Sequence, residues 1–165
     1  MRGKLIAVGW RSEHPAKGCT PAETAATQEG QGWQANARMK SAPIFPREVF
    51  VHSAVAHYFA ARGFRVEEGG YADLTCVHPA TGERWIIEAK GATSALELDF
   101  RTGLGHLVQS MTNETARYAL ALPNTPPFVE QCQRVSRWVR TSLRLHWLLV
   151  DRDATVQVCR PDESL

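Results

Sequence analysis

The chain has no apolar run long enough to cross a bilayer: the longest, Tyr118 to Leu122 and Trp147 to Val150 with their neighbours, fall far short of the roughly 20 residues a membrane helix needs. The Leu5 to Trp10 run is too short for a signal-peptide core, and no small-residue cleavage site follows it, so a cytoplasmic protein without membrane association is expected. The four cysteines, Cys19, Cys76, Cys132 and Cys159, form no C-x-x-C pair. That removes the usual zinc-ribbon and dithiol signatures and leaves buried free thiols in a reducing compartment. His52 and His57 are five apart and do not share a helix face as an H-x-x-x-H zinc pair would. Gly103-Leu104-Gly105 lacks both a preceding strand and a third glycine, which excludes a dinucleotide loop.

A strong charge of one sign is also missing. The net charge is +2, but residues 1–47 carry seven Lys or Arg against three Glu, leaving 12 against 14 for residues 48–165. An anionic partner must therefore be gripped by a local patch, by metal or with help from the N-terminal segment. With 165 residues, 44% of them hydrophobic, the chain can bury one core of its own. Residues 1–43 are rich in Gly, Ala, Thr, Gln and Ser and show no sustained period, which predicts a flexible basic arm. Trp10 and Trp33 are its large apolar exceptions. Residues 44–160 form the expected domain and 161–165 a short tail.

What is present centres on Tyr71 to Lys90. His78-Pro79-Ala80-Thr81-Gly82 is a turn between two apolar-rich runs, Ala72 to Val77 and Trp85 to Ala89, the pattern of a hairpin. An even loop centred between Ala80 and Thr81 pairs positions that sum to 161, which sets Asp73 opposite Glu88. Strand alternation then sends Ile86, Glu88 and Lys90 to one face and Trp85, Ile87 and Ala89 to the other. Two facing carboxylates need a shared proton, a cation or a nearby ammonium group. Lys90 is one candidate and a divalent metal another. Mg²⁺ favours hard oxygens and is commonly held by one or two carboxylates plus substrate phosphates, so this trio suits metal-assisted phosphodiester hydrolysis. An isolated E-x-K arises by chance roughly once in one or two chains of this size, so the weight lies in the arrangement and not in the motif alone.

Around this hairpin, Arg47 to Arg62 reads as a helix stopped by Gly63, with Glu48, His52, Val55 and Phe59 along one side. Glu48 either favours the positive end of the helix or reaches the metal face. Gly63-Phe64-Arg65-Val66 leads into a first strand. Asp99 to Thr112 reads as a helix with Leu104, Leu107, Val108 and Met111 inward and Gln109 on another edge, near Arg101. Gly103 and Gly105 cost helix stability and so suggest close packing or ligand approach. Ala116 to Leu122 reads as a strand covered on both faces. Phe128 to Leu145 reads as one helix carrying an arginine stripe, Arg134, Arg137, Arg140 and Arg144, able to grip phosphates or face solvent. His146 to Val150 and Thr155 to Cys159 complete a terminal strand pair.

The order of helix, three strands, helix, strand, helix and strand pair gives an α/β domain, a central mixed sheet flanked by helices. With Arg47-Glu48, Gly63-Phe64-Arg65-Val66, Asp73, Glu88-Ala89-Lys90 and Gln109 in place, the chain resembles the PD-(D/E)xK nuclease superfamily over about residues 44–159. The resemblance is to its restriction-endonuclease-like fold and, within it, to Holliday-junction-resolvase-like and restriction-type members. It implies that Asp73, Glu88 and the Ala89 carbonyl bind Mg²⁺ or Mn²⁺, with Glu48 adding to the metal site. It further implies that Lys90 assists the attacking water and that Gln109 supports the site or contacts the DNA backbone. Arg101 and the four arginines of the stripe are the expected DNA contacts. The residue before Asp73 is Ala72 where the family often has Pro. Asn113 stands four after Gln109, so the Q-x-x-x-Y pattern of the exonuclease branch is missing and an endonuclease is favoured. The segment from Val66 to Asp73 is short and lacks the Gly-Ser loop of junction resolvases. The expected partner is DNA, and one site per chain would most simply need a homodimer for a double-strand break. The alternatives are a non-catalytic nucleic-acid-binding or assembly module on the same fold, and a domain contacted by a protein partner in a defence, repair or mobile-element system.

Overall fold

The computed structural model describes residues 43–165, so all but the last residue of the expected arm, with Trp10, Trp33 and Cys19, lies outside the described residues. The chain order is α1 (Glu48–Ala60), β1 (Arg65–Glu68), β2 (Leu74–Val77), β3 (Arg84–Ala89), α2 (Leu96–Gln109), β4 (Arg117–Pro123), α3 (Pro126–Arg134), α4 (Arg137–Leu143), β5 (Leu145–Val150) and β6 (Val156–Cys159). The six strands form one mixed sheet in sequence order. Strands β1, β2 and β3 are antiparallel, β3, β4 and β5 are parallel, and β6 returns antiparallel on β5. No helix of the described residues is long and apolar enough to cross a membrane.

The β2–β3 hairpin has the register expected from the turn. Leu74 pairs with Ile87, Thr75 with Ile86, Cys76 with Trp85 and Val77 with Arg84. The loop is closed by the Gly82 amide on the His78 carbonyl at 2.9 Å, with Gly82 at φ +71, where a side chain would be strained.

Both faces of the sheet are covered. Leu74, Cys76, Trp85, Ile87 and Ala89 pack with Val51, Val55 and Phe59 of α1. On the opposite face Leu120, Leu122, Trp147 and Leu149 pack with Phe100 and Leu107 of α2 and Phe128 and Cys132 of α3. β4 lies between two parallel neighbours and is buried from Tyr118 to Pro123, as its unbroken apolar run requires. Cys76, Cys132 and Cys159 are buried free thiols.

Three sequence-based expectations need correction. The buried side of α1 is Val51, Ala54, Val55 and Phe59, with His52 only half-buried and Glu48 exposed. Apolar residues ring this helix, Val49 standing 65% exposed, so periodicity alone did not select the face. Helix α2 starts at Leu96, and its buried line is Phe100, Gly103 and Leu107, while Val108 is exposed and Met111 lies beyond the helix. The helix expected over Phe128 to Leu145 is two helices. Val135 is extended (φ −83, ψ 114), and Ser136 opens α4 by accepting the Val139 amide at 3.4 Å. Arg144 then ends α4 in the left-handed conformation at φ +52, and β5 begins at Leu145.

Candidate active site

Backbone packing brings the end of β3 to the start of α1. Lys90 N–H continues the parallel ladder to the Ala121 carbonyl at 2.9 Å. Gly91 then passes so close to α1 that a Cβ there would lie 2.0 Å from the Glu48 amide nitrogen. Ala92 N–H donates to the Pro46 carbonyl at 2.8 Å and fixes the crossing. Helix α2 follows this crossing and lies over the Glu88 side of the sheet. A Cβ on Gly103 would sit 3.0 Å from Leu120 Cδ1 and 2.7 Å from Lys90 Cγ, so glycine allows α2 to dock at this depth.

The residues Asp73, Glu88, Lys90 and Glu48 meet here. Asp73 stands immediately before β2, one residue beyond the Leu74–Ile87 pair. Its Oδ2 accepts the Ala89 amide at 2.8 Å. The Glu88 side chain is 5% exposed, and its Oε1 accepts from Lys90 Nζ at 2.9 Å and from His106 Nδ1 at 3.1 Å. Glu48 reaches in from α1, with its Oε2 3.8 Å from Lys90 Nζ. Burial alone would pull the Lys90 ammonium down, but its hydrogen bond to Glu88 and the charges of Glu88, Glu48 and Asp73 outweigh it and hold the group above its ordinary 10.5. Lys90 is therefore a cation at neutral pH and cannot serve as a resting base. Three carboxylates surround one ammonium, so the cluster attracts further positive charge.

The two sheet carboxylates are half engaged. Asp73 Oδ1 and Glu88 Oε2 make no hydrogen bond or ion pair with any described residue, yet neither belongs to the enclosed, unpartnered polar atoms of the described region. Asp73 and Glu88 border a cleft of about 380 Å³ together with Gly69, Gly70, Tyr71, Ala72, His106 and Gln109. Gln109 borders the same cleft. His106 was absent from the sequence reading. The available signal was its position one helical turn before Gln109, which places both on one face of α2.

A similar cavity of about 400 Å³, bordered by Asn124, Val129, Leu149 and Cys159, has no comparable carboxylate pair.

Among the described residues no three His, Cys, Asp or Glu side chains converge as a ready metal cage. Two open carboxylate oxygens are nonetheless the donor set that suits Mg²⁺ or Mn²⁺, ions that keep several waters and complete their shell with substrate phosphate. Glu48 sits on Lys90 and does not join the pair. Ala89 contributes its N–H to Asp73.

The arginine stripe is not assembled, because the helix meant to carry it is broken. Arg134 pairs with Glu130 at 2.8 Å and lies 3.7 Å from Glu97, which also takes Arg101 at 3.0 Å. Arg137 is exposed. Arg140 is buried, with Nη2 donating to the Glu163 carbonyl at 2.8 Å. Arg144 donates to the Glu114 carbonyl at 2.7 Å. Arg140→Glu would therefore test folding before it tested any contact.

No protein-family model matches the chain. No curated protein matches it either. Among solved structures, the chain is similar to an XisH family protein from Nostoc punctiforme, at 15% identity and a TM-score of 0.44, over 67% of this chain and 98% of that one.

Proposed function

We propose that residues 44–160 form a Mg²⁺- or Mn²⁺-dependent nuclease that hydrolyses phosphodiester bonds of DNA, as an endonuclease. One observation carries this reading: Asp73 and Glu88 line the same cleft, each with one oxygen held and the other without a partner among the described residues, while Lys90 stands hydrogen-bonded to Glu88. The bound ion would polarise the scissile phosphate and lower the pKa of a water. Asp73 and Glu88 would hold it, with the Ala89 carbonyl as a further ligand. The Lys90 ammonium orients the attacking water and stabilises charge that develops on the phosphate. Glu48 keeps Lys90 in place from the α1 side, and Gln109 contacts the DNA backbone or the site from α2. Without an arginine stripe, duplex binding draws little from phosphate neutralisation by α3 and α4.

The test is incubation of the purified protein with supercoiled plasmid, linear duplex, single-stranded and branched DNA, with Mg²⁺, Mn²⁺ or EDTA. Metal-dependent cleavage that drops roughly a hundredfold or more in Lys90→Ala and Asp73→Asn supports the reading. Binding of DNA without cleavage of any substrate would replace it with a non-catalytic binding module on the same fold.

A further inference from the structure

Glu88 Oε1 receives two donors from different elements, Lys90 Nζ from the end of β3 at 2.9 Å and His106 Nδ1 from α2 at 3.1 Å. An ionised carboxylate only accepts, so Nδ1 carries the hydrogen of this bond. Lys90 divides its ammonium between Glu88 and Glu48, whose Oε2 lies 3.8 Å away, so the His106 donor adds to the hold on Oε1. The imidazole is a planar donor on a helix whose depth is fixed at Gly103. Two donors converging on one oxygen hold Oε1, while Oε2 has no hydrogen-bond partner among the described residues. Asp73 is held in the same manner, with Oδ2 on the Ala89 amide and Oδ1 open.

We propose that His106 is a positioning residue of this centre: its Nδ1–H, with Lys90, holds Oε1 of Glu88 and so leaves the other carboxylate oxygen for a divalent ion that Glu88 and Asp73 would hold. The inference rests on the reading of the cleft as a divalent-cation nuclease centre. Partners of this kind behind a ligating side chain typically change metal affinity 10- to 100-fold.

The experiment is a Mn²⁺ titration of the full chain without DNA, with free Mn²⁺ followed by electron paramagnetic resonance, on wild type, His106→Ala and His106→Asn. Asparagine keeps an N–H donor near the place of Nδ1. The expected result is one site in wild type, a dissociation constant raised at least tenfold in His106→Ala, and recovery to within about threefold in His106→Asn. In cleavage, His106→Ala should raise the Mn²⁺ requirement while the rate at saturating Mn²⁺ stays within a few fold. Unchanged Mn²⁺ affinity in a folded His106→Ala protein would overturn the role of His106 and leave the nuclease reading standing. Equal loss in the Ala and Asn variants would overturn the hydrogen-bond argument. Wild-type protein that binds no Mn²⁺ would remove the cation site itself, and this inference with it.

Discussion

Gly103 and Lys90 are in contact across the α2–β3 interface, close enough that a Cβ on Gly103 would lie 2.7 Å from Lys90 Cγ and 3.3 Å from its Cε. The Lys90 stem runs along the helix backbone and delivers its ammonium to Glu88. Gly103→Ala gains up to about 1 kcal/mol of helix propensity but forces the stem or the helix to move. The expected outcome is a melting temperature within a few degrees of wild type and a tenfold or greater loss of metal-dependent cleavage. Thermal melting and plasmid nicking, measured on the same preparation, check both halves.

Gly91 is constrained by backbone on the other side. An added Cβ would meet Glu48 N at 2.0 Å, Arg47 C at 2.5 Å and Glu48 Cα at 2.7 Å, none of which can swing away as a side chain tip could. Gly91→Ala is expected to destabilise the domain by about 3 kcal/mol, the upper range for overpacking. A urea unfolding curve with a lowered midpoint and an unchanged slope would show it.

His146 gives the stability a pH dependence of definite sign. Its ring is 7% exposed, stacks edge-on to Trp85 at 4.7 Å, and donates from Nδ1 to the Arg144 carbonyl at 2.9 Å. Burial, assisted by the Arg117 charge, holds its pKa below the ordinary 6.5 despite the backbone bonds and Asp162 acting the other way. The unfolded chain therefore binds a proton first as pH falls. The stabilisation is complete above 6.5 and is lost as pH drops from there toward the folded-state value. Unfolding free energies measured from one unit above that value to one unit below should fall, and His146→Asn should reduce that component.

Three thiols should be inert in the folded protein. Burial pushes Cys76 and Cys132 up to about 12 and raises Cys159 as well. In a Cys19→Ser background, a disulfide reagent at neutral pH is expected to label almost nothing until denaturant is added, after which all three should react. Rapid labelling of the native protein would contradict the burial.

Much of the centre was legible because it depends on short-range rules. The even turn from His78 to Glu83 sets the hairpin register through the Leu74–Ile87 pair, which brings Asp73 alongside the end of β3 without reference to any other part of the chain. Gly103 stood out in the sequence as a costly residue in a helix, which fits its close contact with Lys90. The arginine spacing failed for an equally local reason. Ser136 caps a new helix and Val135 is extended, so spacings counted along one helix have no meaning across the break.

His106 was not legible, since its role depends on how deeply α2 docks on the sheet and on which edge it turns to Glu88. The sequence alone determined the pairing, the faces and the chemical types at the centre, because turn parity and alternation act over a few residues. Tertiary structure decided that Glu88 is almost fully buried and which oxygen of each carboxylate is already occupied. Those outcomes follow from helices packing over strands far away in sequence, and no local period encodes that distance.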